Sequence, residues 1–248
     1  MKVRFAIVCV ILLVAVLPSP AAGSNGSGLV PDLEFLGQAI VPTGTIFAGT
    51  VVGGLSSITY DAARGVYYSL SDDPSQFNPA RFYTLDVDLS AGSLQDDDVQ
   101  FLNVTTLLTP GGLPYEPLSF DPEGLTLAKS GELVVTSEGI ASRAISPWVR
   151  RYALDGTFLG ELPVPDAFQP TSPAQGVRQN LAFEAAAVSN NGRHLFVGME
   201  GALVQDGPAA TLTGGSSTSR WSGPSRWAPR ERETRSSFIG WLSRGLRT

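Results

Sequence analysis

Six carboxylates recur at matching places in this sequence, and they are the groups best suited to chemistry. Glu123 and Glu138 flank DPEGLTLAKSGELVVTSEG, Glu184 and Glu200 flank FEAAAVSNNGRHLFVGMEG, and Asp72 and Asp73 close GLSSITYDAARGVYYSLSDD. Glu123 stands eight residues before Gly131 as Glu184 stands eight before Gly192, and Gly65 precedes Asp72 by seven as Gly131 precedes Glu138. Carboxylates gathered at one place repel one another unless a cation neutralises them, and all-oxygen ligation suits Ca²⁺. Such an ion clamps phosphate oxygens or polarises an attacking water. Arg81, Arg150, Arg151 and Arg178 supply guanidinium groups that pair with anionic oxygens. Arg150 and Arg151 are neighbours in a strand-like run and must point opposite ways, so at most one faces a site. The rival reading of the acidic residues is structural, with each accepting backbone hydrogen bonds at a strand corner.

Other chemistries are poorly provided for. The one histidine, His194, sits in the strand-like run RHLFV, and no Gly-x-Ser-x-Gly elbow exists to partner it. No His/Cys cluster suits zinc, and no glycine-rich phosphate loop leads into a helix. Asp96, Asp97 and Asp98 are adjacent carboxylates, but they lack the spacing of a calcium loop and read as a solvated turn.

The three acidic segments share one plan: two short runs rich in Val, Leu, Thr or Tyr around a glycine-containing turn, which is the signature of a β-hairpin. A hairpin that recurs buries its apolar face against its neighbours, and strand-only repeats of this kind point to a β-propeller. Equivalent positions of successive blades then return to one end of a common axis. The dipeptide Asp155 and Gly156 joins two further runs, WVRRYAL and FLGELPV, as a fourth hairpin, and residues 81–89 read as a strand. Residues 33–52 also have a β-like pattern, whereas 107–117 and 166–180 are loops. The fold expected is all-β, a partial β-propeller. Its 181 residues from 32 to 212 make roughly four blades or fewer at ~40–50 residues each.

The phrases DPEGL (Glu123, Gly124, Leu125), Ser137-Glu138-Gly139, and Arg178, Asn180, Phe183 and Glu184 within GVRQNLAFEAAA resemble the phytase-like domain family, whose members are often described as "esterase-like activity of phytase". The resemblance covers roughly residues 32–212 and departs where the family usually has Gly after the second Glu, since Ala185 stands there. It implies an exported, calcium-assisted hydrolase of phosphate or other esters, phytate among them. On this reading Glu123 and Glu184 are catalytic; Arg81, Arg150, Arg178 and Asn180 bind the substrate; Asp72, Asp73, Glu138 and Glu200 hold the metal. The alternatives are a non-catalytic propeller that binds a ligand or partner on its acidic face, and a truncated, inactive product.

Charge and flanking segments complete the picture. The net charge of −6 conceals −13 over residues 24–212 (21 Asp and Glu, 8 Lys and Arg) and +5 over 213–248 (2 and 7). A body so acidic argues against nucleic acid as a partner and accords with cation binding. Lys2 and Arg4 precede a short apolar run, residues 5–17, and a small-residue exit near Ala21 to Gly23. That is the pattern of a signal peptide, residues 1–23, followed by a linker, 24–31. As a helix the run spans roughly 20 Å, short of a ~30 Å bilayer core, so export without a membrane anchor is expected. Cys9 lies within this run, which leaves no cysteine pair for a disulfide. Residues 213–248, with seven arginines, three of the four tryptophans and no lysine, read as an irregular tail foreign to the domain, from a frameshift, or else as a basic interaction tail.

Overall fold

Strands follow one another through the described residues, which in the computed structural model of the chain are 34–211 and 221–224. A small hairpin of β1 (Ile46–Phe47) and β2 (Thr50–Val51) comes first. Then β3 (Leu55–Asp61), β4 (Val66–Ser71), β5 (Arg81–Val87) and β6 (Val99–Thr106) form a four-stranded antiparallel meander. A second meander contains β7 (Pro122–Leu127), β8 (Leu133–Ser137), β9 (Trp148–Tyr152) and β10 (Phe158–Leu162). The third sheet has β11 (Phe183–Val188), β12 (His194–Met199) and β13 (Trp221–Pro224). All belong to one unit, Leu36–Thr248. The helices among the described residues are single 3₁₀ turns, and none is long and apolar enough to cross a membrane.

Each of the three repeated segments is the first hairpin of a sheet. Its turn glycine, Gly65, Gly131 or Gly192, has a positive φ that glycine adopts without steric cost. The first strands pack side by side, with β7 against both β3 and β11. Successive meanders set out from adjacent first strands are blades of a β-propeller. The fold is all-β and partly propeller-like, as the repeats implied.

The blades are bonded to one another near their first strands by hydroxyl groups. Ser57 Oγ donates to Leu125 O (3.2 Å) and accepts from Leu125 N (2.9 Å), while Leu127 N donates to Thr59 Oγ1 (3.2 Å). On the other side, Thr136 Oγ1 accepts from Gly124 N (2.8 Å) and donates to Phe183 O (3.1 Å), joining β7, β8 and β11. A Cβ at Gly124 would run into Thr136 Oγ1 and stand 2.9 Å from Ala186 N. Gly124→Ala is therefore expected to destabilise by about 1–3 kcal/mol, measured as a lower denaturation midpoint. An unchanged midpoint would mean the blades have room to part.

Between blades the core is apolar. Tyr68, Leu70 and Phe82 of the first sheet meet Leu125, Leu133, Val135 and Trp148 of the second. On the opposite face of the second sheet, Val134 and Val149 meet Phe183, Leu195 and Val197 of the third. Alternating strand positions thus serve two interfaces, which is why every residue of β8 is buried.

Over residues 34–52 the chain departs from the extended pattern expected for 33–52. Beyond β1 and β2, Gly37 makes only an isolated bridge to Leu94, and Gly37, Gly44, Ala48 and Gly49 take positive φ, so the segment turns repeatedly. Asp96–Asp98 is a 3₁₀ turn with a capping box at Gln95, in keeping with the solvated turn read from sequence. The expected signal peptide and linker lie outside the described residues. So does most of the tail, although four of its residues form β13, paired antiparallel with β12.

Candidate functional site

Six carboxylates from three blades converge beside the first strands. Asp121 and Glu123 stand at the start of β7, Glu138 follows β8, Glu184 lies in β11, Glu200 follows β12, and Asp72 follows β4. Because the hairpins are antiparallel, the start of the first strand and the end of the second meet at one end of each blade. Pro122 pairs with Ser137 and Phe183 with Met199, which brings their acidic neighbours together. Carboxylate oxygens of Asp121, Glu123 and Glu138 lie within 4.8 Å of one another, as do those of Glu138, Glu184 and Glu200, so Glu138 is common to both groups. Asp72 occupies the space that a side chain at Gly54 would fill.

Glu138 is the fulcrum. Its side chain is 2% exposed, and its Oε1 accepts the Ala182 N–H from the segment leading into β11. The backbone of the next residue is equally constrained: Gly139 has φ +69°, and a Cβ there would press on Ser146 and Pro147.

Burial and mutual repulsion raise the proton affinity of this group. Burial pushes the Asp121 carboxyl up to about 6, aided by the charges of Asp72 and Glu184. Burial likewise pushes Glu123 up to about 8, with Glu184, Asp121 and Asp72 adding repulsion. Glu138 is raised by burial and by Glu184, against the opposing Ala182 N–H. Glu184 is raised by burial and by Glu200, and its hydrogen bond with Glu138 opposes that rise. Asp72 is raised by burial and by Asp73, partly offset by Arg81. Among the described residues, no cationic side chain is among the leading charges acting on Asp121, Glu123, Glu138 or Glu184. A half-buried, all-oxygen, uncompensated donor set fits a hard divalent cation.

The sequence matches the phytase-like family, "esterase-like activity of phytase", over residues 50–238. That is most of the chain. The chain belongs to the phytase-like family. The match continues past residue 213 into the segment expected to be foreign to the domain. No curated protein matches the sequence. In structure this phytase-like chain is similar to a periplasmic gluconolactonase of Pseudomonas aeruginosa, at 12% identity and a TM-score of 0.33, covering 60% of this chain and 38% of that one. It is also similar to a protein of unknown function from Bacteroides caccae, at 11% identity and a TM-score of 0.33, covering 66% of this chain and 47% of that one. The chain thus spans less than half the length of either.

Of the residues singled out from sequence, the phytase-like fold brings together Asp72, Glu123, Glu138, Glu184 and Glu200. It adds Asp121, which sequence reasoning missed. The signal was present: Asp121 stands two residues before Glu123, and alternate residues of a strand share a face.

Asp73 and Arg81 are engaged with each other instead. Their ion pair (2.8 Å) is 6% and 2% exposed. Asp73 also accepts from the N–H groups of Gln76, Phe77 and Asn78, while Arg81 donates to Tyr83 OH and Val51 O. Burial works to raise the Asp73 carboxyl, but Arg81 and these N–H donors outweigh it and hold it below its ordinary value. The pair fixes the loop after β4 rather than meeting a ligand. Arg81→Met strands a buried carboxylate and is expected to cost about 3–5 kcal/mol, read as a drop in the urea midpoint. A loss below 1 kcal/mol would mean water reaches Asp73.

Arg178 donates to the carbonyls of Ala202 and Gly207, so it braces the segment after β12. Asn180 is exposed with a positive φ, in the turn before β11. Arg150 lies farther out on the second blade, paired with Glu161, and Arg151 points the opposite way toward Glu132.

Proposed function

We propose that this chain is an exported hydrolase of phosphate or other esters, centred on the carboxylate cluster and assisted by calcium. Family membership supports the reaction class, and the N-terminal sequence pattern supports export. The observation that carries the reading is the meeting of Asp121, Glu123, Glu138, Glu184 and Glu200 from adjacent blades, with Asp72 near enough to act on Asp121 and Glu123, and with no cation of the described residues among the leading charges on its central members. Glu138, common to both carboxylate groups, would hold the ion with Asp121 from one group or Glu200 from the other, Asp72 adding negative charge nearby. Asp73 leaves the set assigned from sequence because Arg81 occupies it.

A bound divalent cation would neutralise the cluster and polarise the ester oxygen. Glu123 and Glu184 remain for proton transfer. One carboxylate takes a proton from the attacking water as its oxygen bonds to phosphorus or carbon. The other returns a proton to the departing alcohol as the ester bond breaks. Glu138, held by the Ala182 N–H, positions the two halves of the cluster against each other.

The test is to assay the folded protein on p-nitrophenyl phosphate and p-nitrophenyl acetate with calcium or with a chelator. Turnover of at least one ester that is lost on chelation supports the proposal. Folded protein that binds calcium yet turns over neither ester would instead indicate a binding module.

A further inference from the structure

A second site lies on the same end of the second blade. Trp148 is in register with Ser137 and, through it, with Pro122, between Asp121 and Glu123. Two strand spacings of ~4.8 Å place the start of β9 roughly 10 Å from the cluster. Here Ser119, Pro147, Trp148, Arg150, Glu161 and Gln169 line a cleft of about 470 Å³. That is within the ~300–1,000 Å³ range of small-molecule pockets.

The cleft is built around one guanidinium. Arg150 lies over the Trp148 indole at 4.3 Å from its centroid. Its Nε donates to Glu161 Oε2 (2.8 Å), and its Nη1 donates to Tyr115 OH (2.9 Å), which is itself hydrogen-bonded to the buried Tyr152 OH. These contacts fix the guanidinium plane, yet Nη2 has no hydrogen-bond partner among the described residues. Ser119 Oγ, buried beside the same cleft, has none either. Glu161, the one acid lining the cleft, is 46% exposed and is free to turn toward water. Arg150 and Glu161 balance each other in charge, and what the cleft offers an anion is its unfilled donors, Arg150 Nη2 and Ser119 Oγ.

We propose that the cleft binds a small oxyanion, a carboxylate or phosphate group, on Arg150 Nη2 and Ser119 Oγ. A guanidinium already held flat loses little freedom on accepting a planar or tetrahedral anion, and Glu161 is its internal competitor. Resting on the function proposed above, the cleft selects esters that carry an anionic group apart from the bond that is cut.

The test titrates the folded full chain with inorganic phosphate and with acetate by calorimetry, in a chelator so that no metal at the cluster recruits the anion. Both anions are expected to bind the wild-type protein. Arg150→Gln weakens binding at least tenfold, and Glu161→Gln, which removes the competitor, tightens it at least threefold. Because Arg150 also packs on Trp148, Glu161→Gln decides the matter if Arg150→Gln fails to fold. No binding to the wild type, or equal affinities in the wild type and Glu161→Gln, overturns the proposal. Phosphate tighter than acetate assigns a phosphoryl group, and the reverse order a carboxylate. For the catalytic link, Arg150→Gln lowers the preference for an anionic-tailed ester over a neutral one about tenfold. Anion binding without any hydrolysis would leave the cleft standing and remove only the proposed function.

Discussion

In a chelator, the melting temperature of this protein falls as the pH rises from 5 to 9, and calcium restores it. The sign follows from the cluster. Asp121 and Glu123 are pushed up to about 6 and about 8 from ordinary values of 3.8 and 4.5. The folded chain therefore holds protons that the unfolded chain has released, and stability declines with pH wherever the native state binds more protons. The loss begins near the unfolded values and is complete above about 8; because both carboxyls are only partly buried, solvent screening holds it to on the order of a few kcal/mol. Asp61 and Asp73, both held below the ordinary carboxylate range, act oppositely, and their stabilisation disappears only in more acidic solution. On the function proposed above, calcium would bind the ionised cluster, so its effect is expected to be small at pH 5 and largest above pH 8. At a hundredfold excess over its Kd it contributes ~2.7 kcal/mol, or roughly 5–10 °C in a domain of this size. Differential scanning calorimetry at several pH values with and without calcium reads both arms. A melting temperature that rises with pH in chelator would show that the cluster is neutralised by the chain itself.

Glu123→Gln loses ester hydrolysis by a factor of ~100 or more, the usual contribution of a positioned acid or base, yet melts higher than the parent at pH 8 in chelator. The amide keeps the shape of the side chain but removes a charge that lies amid Asp72, Asp121 and Glu184. Activity and stability thus move in opposite directions, which a purely structural role would not produce. Were Glu123 a corner residue holding the repeat together, the substitution would lower the melting temperature and leave turnover intact. Steady-state kinetics and a thermal melt of the same preparation separate the two. The calcium-induced rise in melting temperature should shrink less in Glu123→Gln than in Glu138→Gln, because Glu138 is common to both carboxylate groups.

Much of this arrangement was legible before folding. Three hairpins with a glycine at each turn, an acid at both ends of two and at the far end of the third, required only local information: strand propensity, positive φ at Gly65, Gly131 and Gly192, and near-constant spacing. Closely matched spacing in repeated hairpins returns Glu123, Glu138, Glu184 and Glu200 to one end of their blades, so the cluster was foreseeable. Local pattern does not say which of two adjacent carboxylates turns inward. Asp72 joins the cluster, whereas Asp73 is taken by Arg81, a partner eight residues away.

The amino-acid order alone therefore determined the all-β repeat and the convergence of acids, because both follow from periodicity along the chain. Only the tertiary structure decided the membership of the site. It added Asp121, withdrew Asp73 and Arg81 into a buried pair, made Arg178 a brace for two carbonyls, and set Arg150 in a cleft of its own. Charged side chains are assigned by whichever partner lies nearest in three dimensions, and for Glu138 that partner is a backbone N–H forty-four residues along the chain.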